Sequence, residues 1–325
     1  MAHSLPPKKT NVTGVRSVTV IGSGIIGLTT ASSLQEVGFH VRLISKDRFD
    51  QTLSHKVGAI WFPFEVHPKE KTNVWATLAY NKYEQQVGLA EGLSFIPFLT
   101  SYTPESNTEW TGLLPKGTVR KAQKAELPQG IERAYITKVP LAEPHYYMAY
   151  LFEKYLSNGG SFELGEISSL KQMSELDEMV LNCTGLGAKQ LCNDEDLHPM
   201  RGQILRCKKM NVLSFAESTK RGGLSYIIDR SEDAIVGGTD YENDWNEDAE
   251  LADTYLILNR LKETGIQQSP EILEVMVGLR PRRSSVRFEF DSIYKNIFHN
   301  YGHGGAGFTI GWGCAIELTE LLSNH

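Results

Sequence analysis

The turn Gly22-Ser23-Gly24-Ile25-Ile26-Gly27 constrains the fold of this chain more than any other segment. It follows the short apolar run Val18–Ile21, which has the composition of a buried strand, and it opens an apolar stretch that continues to Val37. Gly38 stands where a helix C-cap is expected, and Val41–Ser45 is a second strand candidate. This order predicts a strand–helix–strand unit with two parallel strands, which is typical of an α/β fold.

The three glycines of this turn have the spacing of a dinucleotide-binding loop. Gly22 permits a tight turn, Gly24 lets the backbone approach a pyrophosphate, and Gly27 lets the helix pack closely on the strand. The helix N-terminus adds unpaired N–H groups and about half a positive charge. Beyond the second strand, Asp47 could accept a hydrogen bond from a ribose hydroxyl and Arg48 could pair with a phosphate, although either could be a solvated surface charge. The motif alone does not distinguish NAD from FAD.

Composition narrows the classes of function. The 325 residues include 33 Lys and Arg against 39 Asp and Glu, and the formal net charge of −6 argues against nucleic-acid and anionic-membrane partners. No apolar run approaches the ~20 residues of a membrane span, and the first fifteen residues lack the apolar core of a signal peptide. The cysteines and histidines show no metal-ligand spacing, so we expect no metal. A chain of this length needs no disulfide scaffold, so we expect a reducing compartment.

A second glycine-rich segment lies near the far end of the chain. Four of the six residues from 302 to 307 are glycine, and they precede a candidate helix that runs from about Gly307 to Leu322. Such a segment brings the backbone very close to something flat or anionic. Two glycine turns, one at each end of the chain, predict a large cofactor that is held from both sides.

The distribution of patterns along the chain predicts two interleaved domains. Strand–helix–strand patterns occur at the start, the middle and the end, and the intervening stretches are richer in strands. Helices are expected over 73–87 and 248–264, and strands over 93–102 and 296–299. The predicted α/β fold has a Rossmann-like cofactor-binding domain and a substrate domain built on a mixed or antiparallel sheet. The expected ranges are 15–60, 148–200 and 293–325 for the first domain and 61–147 and 201–292 for the second.

Six sequence blocks, in order along the chain, give a more specific indication. The C-terminal block His299-Asn300-Tyr301-Gly302-x-Gly304-Gly305-x-Gly307 resembles the signature of the D-amino-acid oxidase and D-aspartate oxidase family. Five further blocks agree with that family: Val20–Leu28, Asn182–Gly187, Arg201-Gly202-Gln203, Tyr226-Ile227-Ile228 and Gly278-Leu279-Arg280-Pro281. Together they span nearly the whole chain.

The resemblance implies FAD as the cofactor and O2 as the electron acceptor. A D-amino acid would be oxidised by hydride transfer from Cα to the flavin, giving the imino acid or 2-oxo acid, ammonia and H2O2. The residues implied to bind the cofactor are Gly22, Ser23, Gly24, Ile25, Ile26, Gly27, Asp47, Arg48, Ser54, Gly58, Ala59, Ile60, Ile167, Thr184, Gly304, Gly305, Gly307, Phe308 and Thr309.

The same resemblance implies which residues hold the substrate. The Arg280 guanidinium would bind the substrate carboxylate with two parallel donors, Tyr226 would donate its hydroxyl, and the Gly305 carbonyl would orient the amine. Phe62 and Phe64 would line an apolar part of the pocket, although both could be plain core aromatics. Positioning and exclusion of water would suffice for catalysis, since hydride transfer from a neutral amine needs no side-chain base.

Two departures from the family pattern bear on the substrate. The segment 221–225 is short and lacks the second tyrosine that many D-amino-acid oxidases carry before the position of Tyr226, and in this it is more like D-aspartate oxidase. D-aspartate oxidases, however, have an arginine where this chain has Asp240. A carboxylate there would repel acidic substrates, so neutral or basic side chains are expected, unless Asp240 points to solvent.

Several alternatives stay open from the sequence. They are a D-aspartate oxidase, a glycine- or sarcosine-type amine oxidase, an NAD-binding dehydrogenase and an inactive cofactor-binding scaffold. A cytoplasmic or peroxisomal location is expected, because the family often ends in a peroxisomal tripeptide that Ser323-Asn324-His325 resembles only distantly. The sequence leaves open whether the chain forms a homodimer.

Overall fold

A computed structural model describes residues 16–63, 66–219, 224–266 and 268–324 of the chain. The strands in these ranges are β1 Ser17–Ile21, β2 His40–Ser45, β3 Leu93–Ser101, β4 Val119–Lys121, β5 Ala134–Ala142, β6 Ser161–Leu164, β7 Val180–Asn182, β8 His198–Lys208, β9 Ser214–Glu217, β10 Ser225–Asp229, β11 Asp233–Gly237, β12 Tyr241–Glu242, β13 Ile272–Phe290 and β14 Ile297–His303. The α-helices are α1 Ile25–Glu36, α2 Lys69–Gln86, α3 Pro144–Ser157, α4 Leu170–Ser174, α5 Ala188–Leu191, α6 Leu251–Glu263 and α7 Gly307–Ser323.

Five strands form a parallel group in the order β14-β7-β1-β2-β6. β1 lies at its centre, so that Ile21 pairs with both Ile44 and Asn182 at the carboxyl end of the strand. The turns that follow these strands therefore meet at one edge of the sheet. In open parallel sheets this edge is where ligands bind.

The strand β13 joins the parallel group to the rest of the sheet. It pairs antiparallel with β14 on one side and with β8 on the other, with Gly278 opposite Gly202 and Arg282 opposite His303. Beyond β8 the order is β11-β10-β9-β3-β5-β4, antiparallel except for the parallel pair of β9 and β3. The two parts of the sheet are thus continuous.

Helices α1, α2 and α7 pack together around a core that includes Leu28, Trp75 and Trp312. Gly313 lets α7 approach α2, since a Cβ at that position would lie 2.1 Å from the Trp75 carbonyl oxygen. α1 ends as the sequence predicts, because Gly38 has a φ of 91° that favours glycine. No helix in the described ranges is long and apolar enough to cross a membrane.

The predicted α/β class with a mixed sheet is confirmed, but two long strands were missed. β5 and β13 carry Pro, Gly or several arginines, and most side chains of β13 are only partly buried, so neither shows a clean alternation of apolar and polar residues. The strand expected over 296–299 continues to His303, which makes the first part of the glycine-rich segment a strand. The helices expected over 73–87 and 248–264 cover 69–86 and 251–263 instead.

Candidate active site

A cavity of about 790 Å³ opens at the carboxyl edge of the parallel strands. Such a volume lies in the range of small-molecule and cofactor sites, ~300–1,000 Å³. Both glycine turns line it, and they touch each other, because a Cβ at Gly307 would lie 3.1 Å from the Ile25 side chain. The two ends of the chain therefore converge on one site.

The first glycine turn leaves room for nothing larger than hydrogen at two positions. Gly22 has a φ of 107°, and a Cβ there would lie 2.4 Å from the Cys183 carbonyl oxygen. A Cβ at Gly27 would lie 1.8 Å from the Gly22 carbonyl oxygen, so α1 rests directly on the end of β1. These contacts aim the N-terminus of α1 into the cavity, where Gly24, Ile25 and other residues of the turn line the wall.

This wall fits a phosphate-containing cofactor. The first turn of α1 has no acidic side chain and no side-chain cap at Gly24. One backbone N–H, that of Ile25, donates to the Ser54 hydroxyl at 3.0 Å, and the Ser23 hydroxyl donates to the Asp47 carbonyl at 2.7 Å. Exposed backbone donors at a helix N-terminus, with no competing negative charge, are what a pyrophosphate needs. FAD would be held here by the first glycine turn and at its other end by residues 304–308.

Most of the cofactor residues predicted from the sequence line the cavity. They are Gly22, Ser23, Gly24, Ile25, Ile26, Asp47, Ser54, Gly58, Ala59, Ile60, Ile167, Thr184, Gly304, Gly305, Gly307 and Phe308.

Three predicted cofactor residues are not brought to the cavity wall. Gly27 lies behind the turn, in contact with Gly22. The Arg48 guanidinium pairs with Asp50 at 3.0 Å. The Thr309 hydroxyl is buried and bonds the backbone N–H and carbonyl of Phe62 at 3.1 and 2.9 Å.

Arg280, on β13, also lines the cavity. Its guanidinium rests against Gly202 of the neighbouring strand β8, where a Cβ would lie 2.4 Å from Nη2. Nη1 donates to the Thr239 carbonyl oxygen at 3.3 Å. Among the described residues no carboxylate forms an ion pair with this guanidinium, so its charge is available to a ligand.

The Tyr226 hydroxyl stands near Arg280, whose positive charge acts on it. Its ring crosses Gly237, where a Cβ would lie 2.2 Å from the ring carbon that bears the hydroxyl. Burial raises the pKa of Tyr226, although the positive charge of Arg280 opposes the rise. The phenol therefore stays protonated and has one proton to donate to a ligand in the cavity.

Of the other predicted substrate residues, Gly305, Phe62 and Asp240 lie at the cavity. Gly305 lies close to Arg280, since a Cβ there would be 3.6 Å from the Arg280 Cδ. Phe62 and the exposed Asp240 line the cavity, and the charge of Asp240 acts on Tyr226 by raising its pKa. Phe64 and residues 221–223 of the short segment lie outside the described residues.

Sequence reasoning missed the residues that shape this end of the cavity. Gly202 was noted only as part of the block Arg201-Gly202-Gln203, and the space that Gly202 and Gly237 leave for Arg280 and Tyr226 depends on strand pairing that the sequence does not show. Phe98, Thr100 and Ala216 also line the wall. No sequence signal shows which face of their strands turns toward the ligand.

His303 is a further polar group at the cavity. It is 3% exposed, and its Nε2 lies 3.7 Å from the Cys314 sulfur. Burial lowers its pKa to about 3. The imidazole is therefore neutral near pH 7 and adds no positive charge beside Gly304 and Gly305.

Comparison with known proteins agrees with this geometry. The family model described as DAO, FAD dependent oxidoreductase, matches residues 17–321. The chain belongs to this family of FAD-dependent oxidoreductases. It is an oxidase with FAD as its cofactor, which decides between FAD and the NAD alternative that the first glycine turn left open.

Two relatives cover nearly the full length of the chain. The D-amino-acid oxidase of Rubrobacter xylanophilus is 33% identical over 318 residues, which are 94% of this chain and 96% of the relative. The D-amino-acid oxidase of Dictyostelium discoideum is 33% identical over 319 residues, 93% of this chain and 90% of the relative. The family resemblance predicted from the sequence blocks is thereby confirmed.

Among solved structures, L-proline dehydrogenase from P. horikoshii superposes with a TM-score of 0.80 and covers 98% of this chain and 94% of its own. At 15% identity this similarity concerns the fold alone.

Proposed function

We propose that this enzyme oxidises D-amino acids to imino acids, which hydrolyse to 2-oxo acids and ammonia, while O2 is reduced to H2O2. We further propose that neutral and basic side chains are preferred to acidic ones. The relatives named D-amino-acid oxidase support the substrate class. The observation that carries the proposal is the position of Arg280 on the cavity wall, with no carboxylate partner among the described residues and with the Tyr226 hydroxyl at its side.

Arg280 and Tyr226 together suit the carboxylate of an amino acid. A planar guanidinium can donate two parallel hydrogen bonds to a carboxylate, which fixes the orientation as well as the charge of the ligand. The protonated Tyr226 adds a third donor to the same carboxylate. Gly305 lies close to Arg280, and its carbonyl would accept a hydrogen bond from the amine and so orient Cα.

The protein also surrounds the reacting atoms with apolar side chains that exclude water. FAD, when bound, supplies the two-electron acceptor and its reoxidation by O2. Phe62, Ile204 and Ile228 line the cavity with apolar groups, which exclude water from the reacting atoms and strengthen the interactions with Arg280. In this mechanism positioning is the main task of the described side chains, and no proton-accepting side chain is assigned.

Asp240 supports the proposed side-chain preference. It is an exposed carboxylate at the edge of the cavity, and its charge already acts on Tyr226. A second carboxylate on the substrate would be repelled there, and a cationic side chain would be attracted.

The Asp240→Asn variant tests this preference. The kcat/KM ratio of D-arginine to D-aspartate should fall about tenfold, because the repulsive charge is lost while the shape of the side chain is kept. Glu247→Gln is the matched control, since Glu247 is exposed on the following loop but does not line the cavity. A wild-type enzyme that prefers D-aspartate, or a ratio that Asp240→Asn leaves unchanged, contradicts the preference.

A panel of D- and L-amino acids tests the proposed reaction itself. Under anaerobic conditions D-alanine, D-methionine and D-arginine should bleach the bound flavin, whereas their L-enantiomers should not. In air the same substrates should yield H2O2 in proportion to the 2-oxo acid formed. Bleaching by glycine or sarcosine but by none of the larger D-amino acids would instead assign the glycine- or sarcosine-type activity.

A further inference from the structure

One row of side chains crosses three neighbouring strands on the cavity wall. Tyr226 on β10 is paired with Ala216 on β9, and Ala216 is paired with Thr100 on β3. Paired residues point to the same face of a sheet, and all three line the cavity. Since neighbouring strands lie ~4.8 Å apart, Thr100 is about 10 Å across the sheet from the residue that would hold the substrate carboxylate.

The Thr100 hydroxyl is unusual because it is buried without a hydrogen-bond partner among the described residues. The side chain is 7% exposed, and its Oγ1 has no hydrogen-bond partner in the part of the chain that the structure describes. Buried hydroxyls are almost always hydrogen-bonded, because leaving one unpaired has an energetic penalty. Thr137, which is 1% exposed on the adjacent strand β5, follows this rule and donates to the Phe98 carbonyl oxygen at 3.2 Å.

The surroundings of this hydroxyl are apolar and roomy. Phe98, two residues before Thr100, lines the same wall, and the Phe62 ring stands edge-on to it at 6.2 Å. Trp110 packs against Phe62 at 4.9 Å. Between Tyr226 and Thr100 the row contains only the methyl group of Ala216. The space therefore suits an apolar chain of several carbons that ends at a single polar position.

We propose that Thr100 is a specificity-determining residue whose hydroxyl binds the polar end of an uncharged substrate side chain lying across Ala216. This inference rests on the proposed oxidation of D-amino acids. The substrate class it names is that of long, neutral, polar D-amino acids, with an amide or similar group three bonds from Cα. Apolar substrates of the same shape would leave the Thr100 hydroxyl without a partner.

The test compares D-glutamine with D-homoleucine, which has the same shape but an isopropyl group in place of the amide. In Thr100→Val the ratio of their kcat/KM values, D-glutamine over D-homoleucine, should fall five- to tenfold, as expected for the loss of about one neutral hydrogen bond. Thr100→Ser, which keeps the hydroxyl, should restore the ratio to within twofold. Thr137→Val is the matched control and should leave the ratio unchanged.

A second variant tests, independently of Thr100, whether the substrate side chain lies across Ala216. Ala216→Leu should lower kcat/KM for D-glutamine and D-homoleucine at least tenfold more than for D-alanine, because the larger side chain blocks the row. The flavin-to-protein ratio of each variant reports whether it has folded.

The outcomes separate this inference from the function on which it rests. If D-amino acids are oxidised but Thr100→Val leaves the ratio unchanged, or Ala216→Leu affects all three substrates equally, only the role of Thr100 is overturned. If no D-amino acid reduces the wild-type flavin, the proposed function fails and this inference fails with it.

Discussion

Among single residues, Arg280 is the side chain that most directly indicates what the cavity binds. Its guanidinium rests against the flat backbone of Gly202 and donates to the Thr239 carbonyl oxygen, and no carboxylate pairs with it in the part of the chain that the structure describes. Most half-buried arginines of this protein are paired instead, as Arg283 is with Asp194 at 2.9 Å. An unpaired guanidinium in a cavity favours an anionic ligand over a structural role.

Replacing Arg280 should therefore affect catalysis far more than folding. Arg280→Ala should lower kcat/KM for the best D-amino acid at least a hundredfold, or about 3 kcal/mol, because the substrate carboxylate would lose a bidentate charged partner. Arg280→Lys should recover part of the loss, since it restores the charge but not the parallel donors. The measurement is steady-state kinetics on protein with full flavin content.

Arg206→Ala is the control for this prediction. Arg206 lies on β8 and pairs with Glu274 at 3.0 Å, away from the residues that line the cavity. Its loss should change kcat/KM less than twofold. A loss of under tenfold in Arg280→Ala would mean that the guanidinium does not anchor the substrate.

At the scale of elements, the junction of β1 and α1 determines whether the cofactor can bind. The helix starts where it does because Gly22 adopts a positive φ and Gly27 lies directly over the Gly22 carbonyl. Nothing larger fits, so the helix N-terminus would have to move away from the strand if Gly27 carried a side chain. The backbone donors of the first turn would move with it.

Gly27→Ala should accordingly weaken FAD binding. A Cβ at 1.8 Å from a backbone oxygen forces the helix away from β1, and we expect the dissociation constant for FAD to rise at least tenfold. The flavin-to-protein ratio after gel filtration and a fluorescence titration of apoprotein measure this. Gly112→Ala is the matched control, because no atom lies within 4 Å of its Cβ position. Unchanged FAD affinity in Gly27→Ala would show that the helix position is not critical.

At the scale of the whole molecule, buried neutral histidines make stability dependent on pH. Burial lowers the pKa of His303 from 6.5 to about 3 and also lowers the pKa of His299, which is not exposed at all. Between pH 3 and pH 6.5 the His303 ring therefore binds a proton in the unfolded chain but stays neutral in the folded chain. For His303 the stabilisation from keeping the ring neutral is complete above pH 6.5 and is lost as the pH falls toward 3, and His299 contributes in the same direction.

The free energy of unfolding should thus decrease as the pH is lowered from 7 to 5. Each additional proton taken up on unfolding contributes a slope of about 1.4 kcal/mol per pH unit. Urea unfolding at several pH values measures the slope, and His303→Asn should make it shallower. His40→Asn, which removes an exposed histidine, should not. A free energy of unfolding that stays constant from pH 7 to 5 would contradict this account.

Sequence and structure agree best where the information is local. The turn at Gly22–Gly27, the helix after it and the cap at Gly38 depend on contacts within a few residues, and all three were predictable from residue type and spacing. The second glycine turn was predictable for the same reason, although the strand β14 before it extends further than the pattern indicates. The family resemblance added the identity of the cofactor, which spacing alone did not give.

The substrate end of the cavity depends on pairing between distant strands. The position of Arg280 beside Gly202 follows from the register of β13 with β8, and β13 itself had no recognisable pattern. The row from Tyr226 to Thr100 joins residues more than a hundred positions apart through two strand pairings. A register shift by one residue would turn each of these side chains to the other face.

Residue type and spacing were enough to predict a dinucleotide-binding α/β unit and both glycine turns, because each is specified by short-range steric requirements. Three features became visible only in the folded chain: the turns touch at Ile25 and Gly307, Gly202 and Gly237 make room for Arg280 and Tyr226, and the Thr100 hydroxyl has no hydrogen-bond partner among the described residues. These features come from strand register and close packing across the sheet, which no local pattern of residues specifies.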